Sequence, residues 1–311
     1  MRIRFWGVRG SLPVPGPRTE RYGGNTSCVE VSSAAGTRMI IDAGTGIRRL
    51  GKELMRSEFE SGKGAAHILI SHTHWDHIQG LPFFAPFYRA GNKLFVYARQ
   101  RDDQNLRSVL SLQVDSPFFP VPFHKARADV AFRELHDGAH FEINDVVVSC
   151  TRLNHPYIAT AYALSADGAK VAYIADTAPF SDILFGHEFL AGPPSPHSLL
   201  SKSDHKTLRT MRSQVVRLCE GADLVIYDTM FTPEEYRQTP HFGHSRPSDA
   251  VDICHDAGAR MLALYHHAPD RSDTEVDAVL ASTRKEATLT ARKLEIIAGF
   301  EGLDLALGKQ G

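Results

Sequence analysis

The chain is poor in the features that would mark several protein classes. It has four cysteines, Cys28, Cys150, Cys219 and Cys254, and no two stand close enough for a Cys-x-x-Cys metal or redox motif. A disulfide framework is not expected, which predicts a reducing compartment. Cys28, Cys150 and Cys219 lie in apolar surroundings and read as small core residues. Charge of one sign is also missing: 35 basic residues face 36 acidic ones, for a net charge of −1. A general nucleic-acid binder carries a basic excess, so only a local basic patch is left open. No run approaches the roughly 20 apolar residues that span a bilayer. The opening stretch MRIRFWGVRG has no apolar segment of signal-peptide type. The expectation is a cytoplasmic protein with no membrane contact. What is present, 311 residues with 42% apolar and 23% charged side chains, suits a globular enzyme with room for a full core.

Strand-like segments open the chain. Arg2–Val8, Ser27–Ser32, Arg38–Asp42 and Ala66–Ser71 are short and rich in β-branched or aromatic residues. A Gly/Pro-rich loop spans Gly10–Gly24. Thr45–Phe59 carries Ile47, Leu50, Leu54 and Met55 along one helical face. Residues 81–127 mix Pro82, Pro86, Pro117, Pro120 and Pro122 with aromatics, and are expected to form an insertion over a site instead of a core layer. Further strands are expected at Val146–Leu153, Lys170–Ala175, Asp223–Tyr227 and Arg260–Tyr265. Helices are expected among them. Ser203–Glu220 places Leu208, Met211, Val215 and Leu218 on one stripe before Gly221, and Ser248–Ala257 precedes Gly258. Ser272 and Glu275 form a capping box that opens a helix expected to reach about Ile296. Ala191–Ser198 reads as an exposed loop. Strand-rich and helix-alternating stretches in both halves predict two sheets with helices outside, an α/β (α+β) architecture.

Sixteen histidines are the anomaly, and their positions carry the information. An apolar strand, Ala66–Ser71, runs into His72-Thr-His74-Trp-Asp76-His77. His72 and His74 are two apart, so an extended strand end turns both to one side. Asp76 and His77 follow as the chain turns toward Gly80 and Pro82. Imidazole and carboxylate are the ligands expected for Zn²⁺ and similar ions. A coincidental polar turn is a poor alternative, because unpaired polar groups at a buried strand end are costly.

This cluster resembles the signature of the metallo-β-lactamase superfamily. The resemblance implies a single domain over residues 1–311, a four-layer αββα sandwich with a metal site on one edge. It also implies roles for single residues. Asp42, in MIIDAGTG, resembles an anchoring carboxylate behind the ligands. His155, Asp176 and His266 resemble the later ligands, with His267 as the competitor for the place of His266. One divalent metal is then held by His72, His74 and His155, the other by Asp76, His77 and His266, and Asp176 bridges them. Zn is expected, with Mn or Fe also suited to the set. Such metals activate water and polarise a phosphoryl oxygen.

Two further stretches move the expectation toward phosphodiesters. Asp228, after Ile226-Tyr227, and His244, in Gly243-His244-Ser245, match the pair that in ribonuclease Z and related cyclic-nucleotide phosphodiesterases protonates the leaving oxygen. Arg246 stands where that branch often has threonine. The loop that contains Asn25 and Thr26 resembles the opening of the cyclic-nucleotide phosphodiesterases, and both residues are candidates for phosphate contact. Tight-turn geometry explains its glycines equally well. The catalytic set expected is Asp76, His244 and Asp228. A small cyclic nucleotide or related phosphodiester is the first substrate expectation, attacked by hydroxide held on the metals. A tRNA 3′-processing endonuclease is the alternative, with RNA as substrate, although no basic arm is evident. A metal-bound nucleotide sensor without turnover is the alternative of another class. Phe83, Phe84, Phe87, Tyr88, Phe118, Phe119 and Phe123 are expected mostly to pack. The resemblance also implies a homodimer.

Overall fold

In the computed structural model, residues 1–114, 119–122, 125–157, 159–181, 183–185, 200–288 and 293–308 are described. The backbone divides into two compact units, one of Met1–His136 with Phe300–Ala306, the other of Asp137–Gly299 with Leu307–Gly311. Each is built on one seven-stranded mixed sheet.

The first unit contains β1 (Arg2–Gly7), β2 (Cys28–Ser32), β3 (Arg38–Ile41), α1 (Ile47–Leu54), β4 (Ala65–Leu69), α2 (Trp75–Ile78), β5 (Lys93–Arg99), α3 (Leu106–Leu112) and β6 (Asp129–Leu135). A late strand, β14 (Asp304–Ala306), returns to pair with β1. The sheet order is β14-β1-β2-β3-β4-β5-β6, antiparallel as far as β3 and parallel from β3 to β6. Alternation sorts the side chains by face. Ile40, Ile68 and Val96 lie in register across β3, β4 and β5 and join one core cluster with Ile47, Leu50 and Leu54 of α1. The expected apolar face of α1 is therefore the buried one, with Met55 at its margin.

The expectation for 81–127 needs correction. β5 lies inside that stretch, pairs with both β4 and β6, and buries Leu94 and Val96 fully. The prolines do mark irregular backbone, since Leu81–Phe83 and Ala85–Tyr88 are short 3-10 turns. Yet Phe84 and Phe87 are core residues packed edge to face. Phe83 is exposed and meets Phe119, while Phe118 and Phe123 fall outside the described residues.

On β4, His67 stacks on Phe95 with ring centres 4.8 Å apart, and its Nδ1 meets the Tyr97 hydroxyl at 3.1 Å. Burial, reinforced by the positive charge of Arg133, holds its pKa down at about 4 against an ordinary 6.5. The unfolded chain thus takes up a proton between those values that the fold refuses. Stability present above pH 6.5 is lost as pH falls through 4. Urea titrations at pH 7.5 and 4.5 should show the wild type losing about 1–2 kcal/mol more than His67→Phe, allowing for the solvent that reaches the ring. Equal losses in the two proteins would assign the acid sensitivity elsewhere.

The second unit contains β7 (His140–Ile143), β8 (Val146–Arg152), β9 (Thr160–Ala166), β10 (Ala169–Ile174), α4 (Lys202–Cys219), β11 (Leu224–Asp228), α5 (Pro233–Gln238), α6 (Pro247–Ala257), β12 (Met261–Tyr265), α7 (Asp273–Ala287) and β13 (Glu295–Ala298). Its order is β13-β12-β11-β10-β9-β8-β7, antiparallel from β7 to β10 and parallel from β10 to β13. The two sheets thus repeat one plan, an antiparallel half followed by a parallel half, although no repeat is visible in the letters. In α4 the predicted stripe of Leu208, Met211, Val215 and Leu218 is buried. The helix opens on a capping box of Ser201 and Asp204, and Gly221 beyond its end adopts φ +64. In α7 the Ser272–Glu275 capping box forms as expected, but the helix stops at Ala287. The stretch to Ile296 is not one helix: Glu295–Ala298, with two adjacent isoleucines, adds an edge strand to β12. All four cysteines are free and buried, and burial pushes the Cys219 thiol up to about 12. Ala191–Ser198 falls outside the described residues. Among the described residues no helix is long and apolar enough to cross a membrane.

Candidate metal centre

Chemistry-bearing residues follow the carboxyl ends of parallel strands, the place where open α/β sheets bind ligands. Asp42 follows β3, the histidine cluster follows β4, Asp176 follows β10, Asp228 ends β11 and His266 follows β12. Asp42 and His266 each sit one residue past a strand with φ of 61° and 60°, a left-handed conformation rare for non-glycine residues. Backbone strain of this kind collects where a side chain must be aimed.

In the first unit, Asp42 organises the cluster. It is fully buried, and its carboxylate accepts from the Ser71 backbone N–H at 2.7 Å and the Ser71 hydroxyl at 2.8 Å. His77 Nδ1 donates to the same carboxylate at 2.7 Å. That bond commits Nδ1 and leaves Nε2 as the nitrogen that can take a cation, 3.2 Å from Asp76 Oδ2. Asp76 Oδ2 in turn accepts from the Ser11 backbone N–H at 2.8 Å. His72 Nε2 and His74 Nδ1 face each other at 3.0 Å. The short helix α2, which carries Asp76, closes on Gly44, where a Cβ would lie 2.2 Å from the Asp76 carbonyl oxygen. Glycine is therefore required there by close approach. Arg101, just past β5, pairs twice with Asp103 and directs Nη1 to the Thr73 hydroxyl at 3.3 Å, between the first two histidines.

In the second unit, Asp228 takes the organising role. Its carboxylate accepts from the backbone N–H groups of Thr177 and Met230, each at 3.1 Å, and of Ser245 at 3.4 Å. His244 Nδ1 donates to it at 3.0 Å. Asp176 lies 3.2 Å from His266 Nε2 and 3.9 Å from both His155 Nε2 and His244 Nδ1. Asp176, Asp228, His244 and His266 each offer a ligand atom within 4.8 Å of the others, and all four are buried. His155 Nδ1 donates to the Gly243 carbonyl at 2.8 Å, which turns its Nε2 toward Asp176. Of the two competing histidines, His266 faces Asp176, whereas His267 Nε2 is bonded to the Gly299 carbonyl at 2.8 Å.

These donors fit a divalent cation. Imidazole nitrogens and carboxylate oxygens, most of them buried, stand about 3–4 Å apart in each unit, and the Nδ1 atoms of His77 and His155 are held by Asp42 and the Gly243 carbonyl.

Asn25 and Thr26, the expected phosphate contacts, are bonded within the fold. The Asn25 N–H and side-chain amide both donate to Glu301, at 2.7 and 3.0 Å. Thr26 is fully buried, and its hydroxyl accepts from the Thr45 N–H at 2.8 Å. Their chemistry is spent on holding the Gly-rich loop to its neighbours. Arg246 caps α6 through Asp249 and lies over the Tyr236 ring. Sequence reading missed Ser11, Thr177 and Met230, which act through backbone N–H groups that any residue possesses. It also missed Arg101, which no local motif marks.

Comparison with known proteins agrees with this geometry. Residues 37–189 match the model of the β-lactamase superfamily domain. The ribonuclease Z of Natronomonas pharaonis is 27% identical over 309 residues, covering 89% of this chain and 92% of that one. Among solved structures, the human short-form tRNase Z superposes with a TM-score of 0.62 at 18% identity, covering 98% of this chain and 99% of the other. Unliganded yeast PDE1 superposes with the same TM-score at 14% identity, with 98% and 99% covered. Residues 37–189 thus match a β-lactamase superfamily domain, and the strand-end carboxylates and the histidine cluster sit in a chain that is similar to ribonuclease Z over about nine tenths of its length.

Proposed function

We propose that this chain is a metal-dependent phosphodiesterase that acts on RNA in the manner of its ribonuclease Z relatives. The observation that carries the reading is the buried Asp228–His244 pair beside Asp176 and His266, joined to a sequence likeness that spans about nine tenths of both chains. Divalent ions, most simply Zn, would be held in the first unit by His72, His74, Asp76 and His77, and in the second unit by His155, Asp176 and His266. When bound, such ions acidify water and draw charge from a phosphoryl oxygen.

The protein's own residues divide the remaining work. Asp42 and the Gly243 carbonyl hold His77 and His155 in the tautomer whose Nε2 would take a cation. Asp76, fixed by the Ser11 N–H, receives a proton from the attacking water. Asp228 orients His244 through its Nδ1. His244 delivers that proton to the leaving oxygen as the P–O bond breaks. One proton is taken from water and one is given to the leaving group, so the sequence balances.

A second reading, hydrolysis of a small cyclic nucleotide, is favoured by the absence of a basic excess. Metal-loaded protein should be assayed on precursor tRNA, dinucleotides, 2′,3′- and 3′,5′-cyclic nucleotides and bis(p-nitrophenyl) phosphate. Cleavage of precursor tRNA at its 3′ side is the expected result. Turnover of cyclic nucleotides alone moves the assignment to the second reading. No turnover of any phosphodiester, with metal confirmed bound, removes both and leaves the sensor. The expected homodimer is read from the mass in sedimentation.

A further inference from the structure

Two exposed aromatic residues stand on the loops that carry His155 and His244. Tyr157, two residues past His155, is 37% exposed, and Phe242, two residues before His244, is 54% exposed. The loops are tied together by the His155 to Gly243 hydrogen bond of 2.8 Å. A Cβ on Gly243 would lie 2.6 Å from the His155 ring, so the approach is close. The His155 and His244 rings are 5.5 Å apart. Phe242 is backed by the buried Phe231, whose ring meets the edge of His244 at 5.5 Å. Both residues thus stand on the backbone that holds the acid itself.

Neither residue is placed for packing alone. An aromatic ring left half in water forgoes burial that folding would otherwise gain. Tyr157 also adopts φ +61, a left-handed conformation that is a true outlier for a bulky side chain. Strain that persists at a ligand-bearing loop points to a use for the side chain there. Aromatic faces beside a phosphodiester centre offer stacking surfaces for bases, and such stacking tolerates any base.

We propose that Tyr157 and Phe242 clamp the nucleobase on the leaving-group side of the scissile bond. The side follows from His244, which protonates the leaving oxygen, so the inference rests on the function proposed above. The substrate class is then a nucleotide chain that bears a base on the leaving nucleoside.

The test compares a dinucleotide with an analogue whose leaving-side sugar lacks its base, using metal-loaded full-length protein. The readout is the ratio of kcat/KM for the two substrates. The wild type should favour the base-bearing substrate. Tyr157→Asn, which tolerates the left-handed backbone, and Phe242→Ala should each reduce that preference by about tenfold, mainly through KM. Tyr157→Phe and Phe242→Tyr should restore it. Phe300→Ala, an exposed aromatic of the other unit, should leave the ratio alone. A preference unchanged in Tyr157→Asn and Phe242→Ala overturns the clamp and leaves the phosphodiesterase reading standing. A wild type that binds metal yet cleaves neither substrate overturns that reading and the clamp with it.

Discussion

His244→Ala is expected to lower kcat on a dinucleotide or precursor RNA by about 10²–10⁴, and to lower it far less on bis(p-nitrophenyl) phosphate. The difference lies in the leaving group. A ribose oxygen departs as an alkoxide unless it is protonated in the transition state, whereas p-nitrophenolate leaves unaided. His244 is equipped for this single task. Its Nδ1 is bonded to Asp228 at 3.0 Å, and Asp228 is fixed by three backbone N–H groups, so the ring has one orientation. Asp228→Asn should follow His244→Ala in direction, because an amide cannot stabilise the imidazolium as a carboxylate does. KM should move little in either variant, since the proton is transferred only in the transition state. The measurement is a leaving-group series, with log kcat plotted against the pKa of the departing alcohol. Wild type should give a shallow slope and His244→Ala a steep one. Parallel lines would show that His244 positions the substrate without moving a proton, and would return the acid role to solvent.

How much of this was legible in the sequence depends on the distance over which each feature is encoded. His72, His74, Asp76 and His77 sit within one strand-to-helix turn, so their convergence needs no tertiary information. Asp42, Asp176, Asp228 and His266 are separated by many residues, but each follows an apolar strand, and strand ends of a parallel half-sheet are brought to one side by pairing alone. The unexpected elements depend on partners. β9, with the sequence TAYALSA, has weak intrinsic strand preference and is held by β8 on one side and β10 on the other. β5 lies among prolines and aromatics that read as irregular, yet it is a fully paired inner strand. β13 was concealed behind the good helix formers of α7, and β14 pairs with β1 from the opposite end of the chain. Asn25 is read in the same way: a Gly-rich loop with amide groups looks like a phosphate cradle, and only Glu301, hundreds of residues away, reveals that its amide is also bonded within the fold.

The largest effect is expected from removing the metal or its ligands. Chelation of the purified protein should abolish turnover, and Asp176→Ala should reduce it by at least about a thousandfold, since metal stabilisation of the transition state is worth several kcal/mol. Asp176 is chosen because it lies within 3.9 Å of three histidines, so its loss leaves buried imidazoles without the anion that gathers them. Activity alone would not separate a lost ligand from a damaged fold, so a thermal readout is needed. A cation that binds only the folded chain stabilises it by about 2.7 kcal/mol at a hundredfold excess over Kd, which for units of this size is roughly 5–10 °C in Tm. Apo wild type should show that rise on addition of Zn²⁺ or Mn²⁺. Asp176→Ala, which also removes a buried negative charge, should unfold near the apo wild-type temperature and respond to added metal by a third of the shift or less. Metal content measured after dialysis should fall in parallel. If Asp176→Ala retained full metal content and the full thermal response, the carboxylate would not be a ligand. The strand-end chemistry of the second unit would then need a purpose other than holding a cation.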